Sequence, residues 1–336
     1  MLRAILALAV GSFAVGLQAA DVVNIYSARH YDTDDALFQK FKTQTGITVK
    51  VIEGNSDALL TRLRREGKRS PADIFITVDA GRLNKAEAQG IFAPVTSKIL
   101  TDRVPTNLRH PKGLWFGLTQ RVRIILVSKT RVQPGEITRY EDLAKTKWRK
   151  RVLIRSSSNV YNQSLVGSLI AKYGDKRALA WCEAVVANMA RRPQGGDRDQ
   201  IRAVAAGEGD VAVANHYYYA RLLTSPKEAD RRAANAVRLV FPNQKDRGAH
   251  VNISGAGVVK TAPNKANAIK FLEFLVSDEA QKVFSAGNNE YPVVKSVPPP
   301  QVLKQFGTFK ADTVSAHEFG RNNQKAIRLM DRAKWR

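Results

Sequence analysis

The feature that most restricts the fold is the regular alternation of extended and helical segments near the start of the chain. Short apolar runs predict strands, and longer amphipathic runs that end at Gly46, Gly67 and Gly90 predict helices. The predicted strands are 22–26, 47–51 and 73–76, and the predicted helices are 34–45, 56–66 and 81–89. Strands separated by whole helices favour a parallel or mixed sheet that helices cover. We therefore predict an α/β fold.

The rest of the chain continues this pattern without a flexible linker. Further strands are predicted at 123–127, 152–154, 211–214 and 251–260, with helices up to about 172 and at 176–190, 199–206, 264–276 and 278–286. The absence of repeats and Pro-rich linkers is expected if the chain crosses more than once between two lobes. We predict two α/β lobes, each with a mixed central sheet, that close by a hinge over a cleft. The predicted first lobe is 21–119 plus 241–290, and the second is 120–240 plus 291–336.

The N-terminus predicts export. Met1-Leu2-Arg3 precedes an apolar run from Ala4 to Leu17, and the small residues Ala19 and Ala20 follow. One positive charge, an apolar run too short to span a bilayer and small residues at its end are typical of a secretory signal peptide. We predict a signal peptide at residues 1–20, cleaved after Ala19 or Ala20.

Composition excludes several classes of site. The single Cys182 leaves no internal disulfide and no Cys-based zinc site, and the apolar helical face around it predicts a buried thiol. Lys and Arg outnumber Asp and Glu by 54 to 30, which gives a formal charge of +24. The basic residues form scattered clusters at 62–65, 147–151, 191–192 and 231–232, so we predict no nucleic-acid partner. A positive field of this size attracts anionic metal chelates and acidic surfaces.

The strongest indication of function is a run of three tyrosines, Tyr217 to Tyr219. They follow the apolar run 211–214 and Asn215, a good helix N-cap, so they fall at a strand-to-helix turn, where two consecutive side chains can converge. A phenol has a pKa of about 10 and ionises at neutral pH only beside a strong positive charge. Oxygen ligands suit hard cations, and ferric iron is the natural candidate. The alternative is packing, which we predict for Tyr219 because it lies about 200° around the helix from Tyr217.

Several motifs resemble those of the periplasmic ferric-iron-binding proteins of ABC importers. Similarity to binding proteins in general lies in residues 70–75, 90–95, 254–260, 268–275 and 289–293. More specific similarity, to the tyrosine-rich, FutA-like branch, lies in Tyr26-Ser27-Ala28-Arg29-His30-Tyr31, Ser157-Ser158-Asn159-Val160-Tyr161-Asn162-Gln163-Ser164 and Asn215-His216-Tyr217-Tyr218. The resemblance covers nearly the whole mature chain. It implies a type II-like periplasmic substrate-binding fold and a monomer that delivers Fe(III), or a ferric chelate, to an ABC permease.

The resemblance also implies a set of site residues. The implied iron ligands are Tyr31, Tyr161, Tyr217 and Tyr218, with His30 as an optional ligand. Arg121 and Arg221 are implied as neutralising charges beside them, and Arg221 is one helical turn after Tyr218. Three or four phenolates around Fe(III) give a net charge of about zero or minus one, which a buried site tolerates beside an arginine.

The chain departs from another branch of these proteins at two places. That branch has a glutamate ligand where this chain has Val78, and the adjacent Asp79 would face the other way in a strand. It also binds phosphate on a Ser-Gly loop, whereas this loop reads Ser158-Asn159-Val160-Tyr161 and does not favour phosphate. A synergistic anion such as carbonate is left open.

The two other classes of function are an enzyme and a binding protein for an organic ligand. The chain has no G-x-S-x-G motif, and His317-Glu318 is not a zinc-protease motif because position 321 is Arg321, so we predict no enzymatic activity. The alternative is a binding protein for a small anionic organic ligand held by Arg121 and Arg221. The remaining histidines are predicted to be structural (His110, His250 and His317) or to lie beside the site or at the surface (His216).

Overall fold

A mixed sheet of nine strands organises the computed structural model, which describes residues 21–29 and 33–336. The predicted signal peptide, residues 1–20, and the predicted site residues His30 and Tyr31 lie outside the described residues. The strands are β1 Val22–Ser27, β2 Thr48–Glu53, β3 Ile74–Val78, β4 Phe116–Ser128, β5 Val152–Leu153, β6 Val211–Asn215, β7 Val237–Val240, β8 Val251–Val258 and β9 Tyr291–Pro292. Their order is β2-β1-β3-β8-β4-β6-β5, and β7 and β9 also pair with β4.

The pairing confirms the predicted α/β class with a mixed sheet. β1 is parallel to β2 and β3, and β5 is parallel to β6. β8 runs antiparallel to both β3 and β4. The parallel pairs are the ones joined through helices, as a parallel connection requires.

Strand β4 joins the two halves of the sheet. Its residues from Phe116 to Val122 pair with β8, and those from Arg123 to Val127 pair with β6. The sequence pattern predicted only 123–127, because buried polar residues such as Thr119 break the apolar run before it. The half of β4 that the sequence pattern did not predict contains Arg121.

Thirteen helices cover the sheet in the described part of the chain. They are α1 Asp34–Thr45, α2 Ser56–Glu66, α3 Ala80–Ala88, α4 Lys98–Arg103, α5 Val160–Asn188, α6 Asp197–Ala206, α7 His216–Leu223, α8 Glu228–Asn235, α9 Lys265–Leu275, α10 Asp278–Asn288, α11 Gln301–Lys304, α12 Ala316–Arg321 and α13 Asn323–Arg332. Gly174, with φ 77° and ψ 170°, interrupts α5, which accounts for the two separate helices predicted there. Within the described residues, none of these helices combines the length and the apolar character that a membrane span needs.

Apolar side chains form two clusters. One surrounds β1, β3 and β8 and includes Ile25 and Phe75. The other lies between β4, α5 and α13 and contains Cys182, which is fully buried, as predicted. Burial raises the pKa of the Cys182 thiol to about 12, so this thiol is unreactive at neutral pH.

Candidate metal site

The strand-to-helix turn after β6 brings Tyr217 and Tyr218 side by side. Their ring centroids are 4.3 Å apart, with 39° between the ring planes. Asn215 has the extended backbone of an N-cap, but its side chain does not cap α7. Instead its Oδ1 accepts a hydrogen bond from Arg123, and its Nδ2 donates to the Tyr217 oxygen at 3.4 Å. The turn therefore has the convergent geometry that the sequence suggested.

Tyr161, in the first turn of α5, completes a cluster of three phenols. Asn159 caps this helix by accepting the Tyr161 amide at 3.2 Å. The Tyr217 hydroxyl donates to the Tyr161 oxygen at 3.2 Å, and Tyr218 also forms a hydrogen bond with Tyr161. Three of the four predicted tyrosine ligands thus meet, while Tyr31 lies outside the described residues.

The phenol of Tyr161 holds its proton at neutral pH. Burial raises the pKa of Tyr161 above its ordinary value, and the neighbouring Tyr218 raises it further, while the positive charge of Arg121 acts in the opposite direction. Ionisation of this group therefore requires another positive charge within the cluster.

Four arginines surround the rings of Tyr217 and Tyr161. The guanidinium carbons of Arg121 and Arg221 lie 5.4 and 5.5 Å from the Tyr217 ring centroid. Those of Arg123 and Arg155 lie 5.9 and 5.7 Å from the Tyr161 ring centroid. Cations this close to an aromatic ring are attracted to it, and they favour an ionised phenol. Sequence reasoning missed Arg123 and Arg155, although Arg123 is two residues after the predicted Arg121 and Arg155 is two residues before the motif that contains Tyr161.

Arg121 forms an ion pair with a buried carboxylate, that of Glu290. Sequence reasoning did not identify Glu290 as part of the site. The Arg121 Nη2 atom lies 2.8 Å from Glu290 Oε1, and Arg29 Nη1 lies 3.1 Å from Glu290 Oε2. Burial alone would raise the pKa of Glu290, but Arg121 and Arg29 lower it to about 2. Glu290 is therefore ionised, and it balances the charge of the arginines.

His216 and Tyr219 lie outside the phenol cluster. His216 is fully buried, with its ring 4.7 Å from that of Tyr291, and its Nδ1 accepts the Val122 amide at 3.1 Å. Of the two positions predicted for His216, the surface is wrong, because the first residue of α7 faces the strands. Its ring instead lies beside the site, 5.7 Å from that of Tyr217. Burial lowers its pKa to about 3, so it is neutral. Tyr219 stacks on Phe306 at 5.3 Å, which matches its predicted packing role.

Asp79 is fully engaged by neighbours other than the phenols. Its Oδ1 accepts hydrogen bonds from the Gly81 amide and the Ser164 hydroxyl at 2.8 and 2.7 Å, and its Oδ2 accepts from Asn252 at 2.7 Å. Both carboxylate oxygens are thus engaged. With Val78 next to it, this turn offers no carboxylate ligand.

A polar cavity of about 430 Å³ opens beside Tyr161 and Tyr218. Its lining includes two arginines and several hydroxyl and amide groups, contributed by Arg82, Arg155, Ser156, Ser158, Asn159 and Gln194. Such a lining has the charge and the donors that an anion needs.

Two of the remaining histidines meet at a carboxylate. His110 Nε2 lies 3.2 Å from Glu87 Oε1, and His317 Nδ1 lies 3.7 Å from Glu87 Oε2. The Lys112 amide donates to His110 Nδ1 at 3.0 Å, so a neutral His110 carries its proton on Nε2 and donates it to Glu87. If His110 bound a metal through Nε2, its proton would have to be on Nδ1, and Nδ1 would donate a hydrogen bond. In this structure Nδ1 accepts one. This arrangement agrees with the structural role predicted for these histidines.

Comparison with known proteins gives a consistent set of relatives. Residues 69–307 match the family described as bacterial extracellular solute-binding protein. The chain is 51% identical over 314 residues to iron uptake protein A1 of Synechocystis, covering 94% of this chain and 87% of that one. A solved Trichodesmium structure, described as FutA in complex with iron and citrate ligands, has a TM-score of 0.92 and 55% identity, covering 94% of this chain and 100% of that one. The ferric binding protein of Campylobacter jejuni has a TM-score of 0.87 and 41% identity, with coverage of 94% and 100%.

Proposed function

The chain belongs to the family of bacterial extracellular solute-binding proteins, and from that premise we propose that it captures ferric iron in the periplasm and delivers it to an ABC permease. The observation that carries this proposal is the cluster of three hydrogen-bonded phenols, Tyr161, Tyr217 and Tyr218, beside four arginines. Phenol oxygens that lose their protons together are hard, anionic ligands, which suit Fe(III). The names of the Synechocystis and Campylobacter relatives support iron as the cargo.

The proposed ligands are the three clustered tyrosines together with Tyr31, and His30 is an optional ligand. Three phenolates neutralise Fe(III), and a fourth leaves one negative charge. Arg221, beside the Tyr217 ring, supplies a compensating positive charge. The site therefore binds the metal without a large uncompensated charge in its buried part.

A synergistic anion completes the proposed site. The 430 Å³ cavity beside Tyr161 and Tyr218, with Arg82 and Arg155 in its lining, supports an anion at this position. Carbonate is one candidate, and citrate is the other because the Trichodesmium relative is described with iron and citrate ligands.

We assign the binding residues to two lobes that close on the metal, residues 21–119 plus 241–290 and residues 120–240 plus 291–336. Strand β4 pairs with β8 up to Val122 and with β6 from Arg123 onward. This change of partner supports a lobe boundary within β4, close to the assigned one between residues 119 and 120. Tyr161, Tyr217 and Tyr218 then lie on the second lobe and Tyr31 on the first. Iron binds to the second lobe first, and closure adds Tyr31.

A binding protein for a small anionic organic ligand is the competing function. It requires free cationic groups on Arg121 and Arg221, but the ion pair of Arg121 with Glu290 weighs against that role. The family consists of transport proteins, and we propose that this protein acts as a monomer without catalytic activity or a nucleic-acid partner.

An absorption titration tests the proposal. Ferric citrate added to the apoprotein should produce a visible phenolate-to-iron charge-transfer band, which citrate alone should not produce. A strain without the gene should take up less iron when ferric iron is limiting. Absence of the band, together with citrate binding that does not depend on iron, would favour the organic-ligand function.

A further inference from the structure

Arg123 links the three segments that surround the phenol cluster. Its side chain is 1% exposed, and its Nη1 donates to Asp197 Oδ2 at 2.7 Å and to Asn215 Oδ1 at 3.2 Å. Its Nη2 donates to Asn162 Oδ1 at 2.7 Å. Asp197 Oδ2 also accepts the backbone amide of Asn215 at 2.7 Å. One guanidinium group thus connects the start of α5, the start of α6 and the end of β6.

The partners of Arg123 are the immediate neighbours of the phenols. Asn162 follows Tyr161 in the chain, and its Nδ2 donates to the carbonyl oxygens of Arg155 and Ser156 in the preceding loop. Asn215 is two residues before Tyr217 and donates to the Tyr217 oxygen. The distance between Tyr161 and Tyr217 is therefore determined by segments that meet at Arg123.

The cluster needs such a constraint because α5 and α7 bring its phenols together from distant parts of the chain. The phenol oxygens can bind one ion together only while these two helices keep their relative position. A planar guanidinium group can bond several acceptors at once in a fixed geometry, whereas a lysine ammonium acts as a point charge. The buried carboxylate of Asp197 compensates the charge of Arg123, so the pair is stable where it lies.

We propose that Arg123, held by Asp197, is a positioning residue that keeps Tyr161 and Tyr217 at the separation that ferric iron requires. This inference rests on the proposed function. Arg123 acts through Asn162 and Asn215 and does not ligate the metal. Its substitution should lower iron affinity by about 10- to 100-fold, as expected when groups that orient metal ligands are lost.

A second buried ion pair in the same chain provides the matched control. Arg247 Nη2 lies 3.0 Å from Asp312 Oδ2, and both side chains are buried. Arg247 also donates to Ser168 in α5, two turns beyond Tyr161, and the aromatic rings it lies over are those of Tyr140 and Tyr173, which are not part of the phenol cluster. The variants Arg123→Lys and Arg247→Lys therefore weaken the same kind of buried pair. Both should lower the melting temperature, but Arg247→Lys should leave iron affinity within about twofold.

The first measurement is ferric titration of both variants, with chelator competition for the affinity and the visible spectrum for the geometry at the metal. We expect Arg123→Lys to lose about 10- to 100-fold in affinity and to shift the charge-transfer band. Asn162→Ala serves as a second variant, because it removes one Arg123 contact while the ion pair with Asp197 stays intact. Wild-type affinity and an unshifted band in both Arg123→Lys and Asn162→Ala would overturn the proposal.

The second measurement needs no metal. Amide hydrogen exchange of the apoproteins should become faster in residues 156–163 and 213–221 of Arg123→Lys, and not in those of Arg247→Lys. If the wild-type protein binds no iron but this local effect appears, the proposed function fails, and Arg123 only orders these two segments. If iron binds normally and exchange in these segments is the same in both variants, the positioning role is wrong and the proposed function stands.

Discussion

The phenol oxygens of Tyr161 and Tyr217 lie 3.2 Å apart, although the two residues are 56 positions apart in the sequence. In this arrangement the Tyr217 hydroxyl donates a hydrogen bond to the Tyr161 oxygen. Two negative charges at this distance would repel by about 5 kcal/mol at an effective dielectric constant of about 20. Both phenols therefore ionise together only when a cation lies between them. This pairing connects the fold to metal capture, because α5 contributes the Tyr161 phenol and α7 contributes the Tyr217 phenol.

Removal of single phenol oxygens should separate ligands from packing residues. We expect Tyr217→Phe and Tyr218→Phe each to abolish the charge-transfer band and to weaken ferric binding by more than about 100-fold, beyond the loss typical of outer-sphere groups. Tyr219→Phe is the matched control from the same run, since Tyr219 stacks on Phe306 and should change affinity little. Equal damage from Tyr219→Phe and Tyr218→Phe, measured by titration with ferric citrate, would contradict this assignment.

Iron binding should release protons and weaken as the pH falls. Burial raises the pKa of Tyr161 above its ordinary value, so its phenol is protonated in the apoprotein at neutral pH and must lose that proton to bind iron. Because the proton leaves on binding, higher pH favours the complex, and each released proton changes the affinity about tenfold per pH unit. Dye-based proton counting at pH 7 should give about one fewer proton for Tyr161→Phe than for the wild type. An unchanged count would show that Tyr161 is not a ligand.

The fold was largely predictable because its periodic segments are also its buried ones. Strands β1 and β6 and helices α1 and α2 appear within a residue or two of their predicted limits. The first half of β4 was missed, because residues such as Thr119 and Arg121 are buried as polar partners of Glu290 and leave no apolar pattern. The spacing of apolar residues in the sequence gives no sign of a polar side chain that is buried in an ion pair.

Of the candidate site, only the phenols could be predicted from the sequence. The run of tyrosines and the motif around Tyr161 are visible in the sequence, and the structure brings these phenols together. The buried ion pairs beside them, Arg123 with Asp197 and Arg121 with Glu290, join distant parts of the chain, and nothing in the local sequence marks these residues as partners. Asn215 shows the same limit, since the helix cap expected from its type is replaced by bonds to Arg123 and Tyr217.

Loss of the Glu290 carboxylate should strongly destabilise the apoprotein. Glu290→Gln removes the buried carboxylate that pairs with Arg121 and Arg29, and Arg29 still pairs with Asp34. Removal of one partner from a buried ion pair typically costs about 3–5 kcal/mol of unfolding free energy. The control is Glu279→Gln, which breaks an exposed pair with Lys40 and should cost at most about 1 kcal/mol. Denaturant unfolding measures both values, and equal losses would mean that Glu290 does not stabilise the arginines.

The last prediction concerns the order in which the lobes take part. Tyr31 is assigned to the first lobe, and the three clustered phenols to the second. Tyr31→Phe should keep most of the charge-transfer band, because the three phenolates of the second lobe remain, yet it should bind iron more weakly because closure adds no phenolate. Tyr26→Phe is the control, since Tyr26 donates to Glu66 at 2.8 Å and takes no part in the cluster. Small-angle scattering should show compaction on iron binding in Tyr26→Phe and less in Tyr31→Phe. Complete loss of the band in Tyr31→Phe would mean that the second lobe cannot hold iron alone, and the proposed order of binding would be wrong.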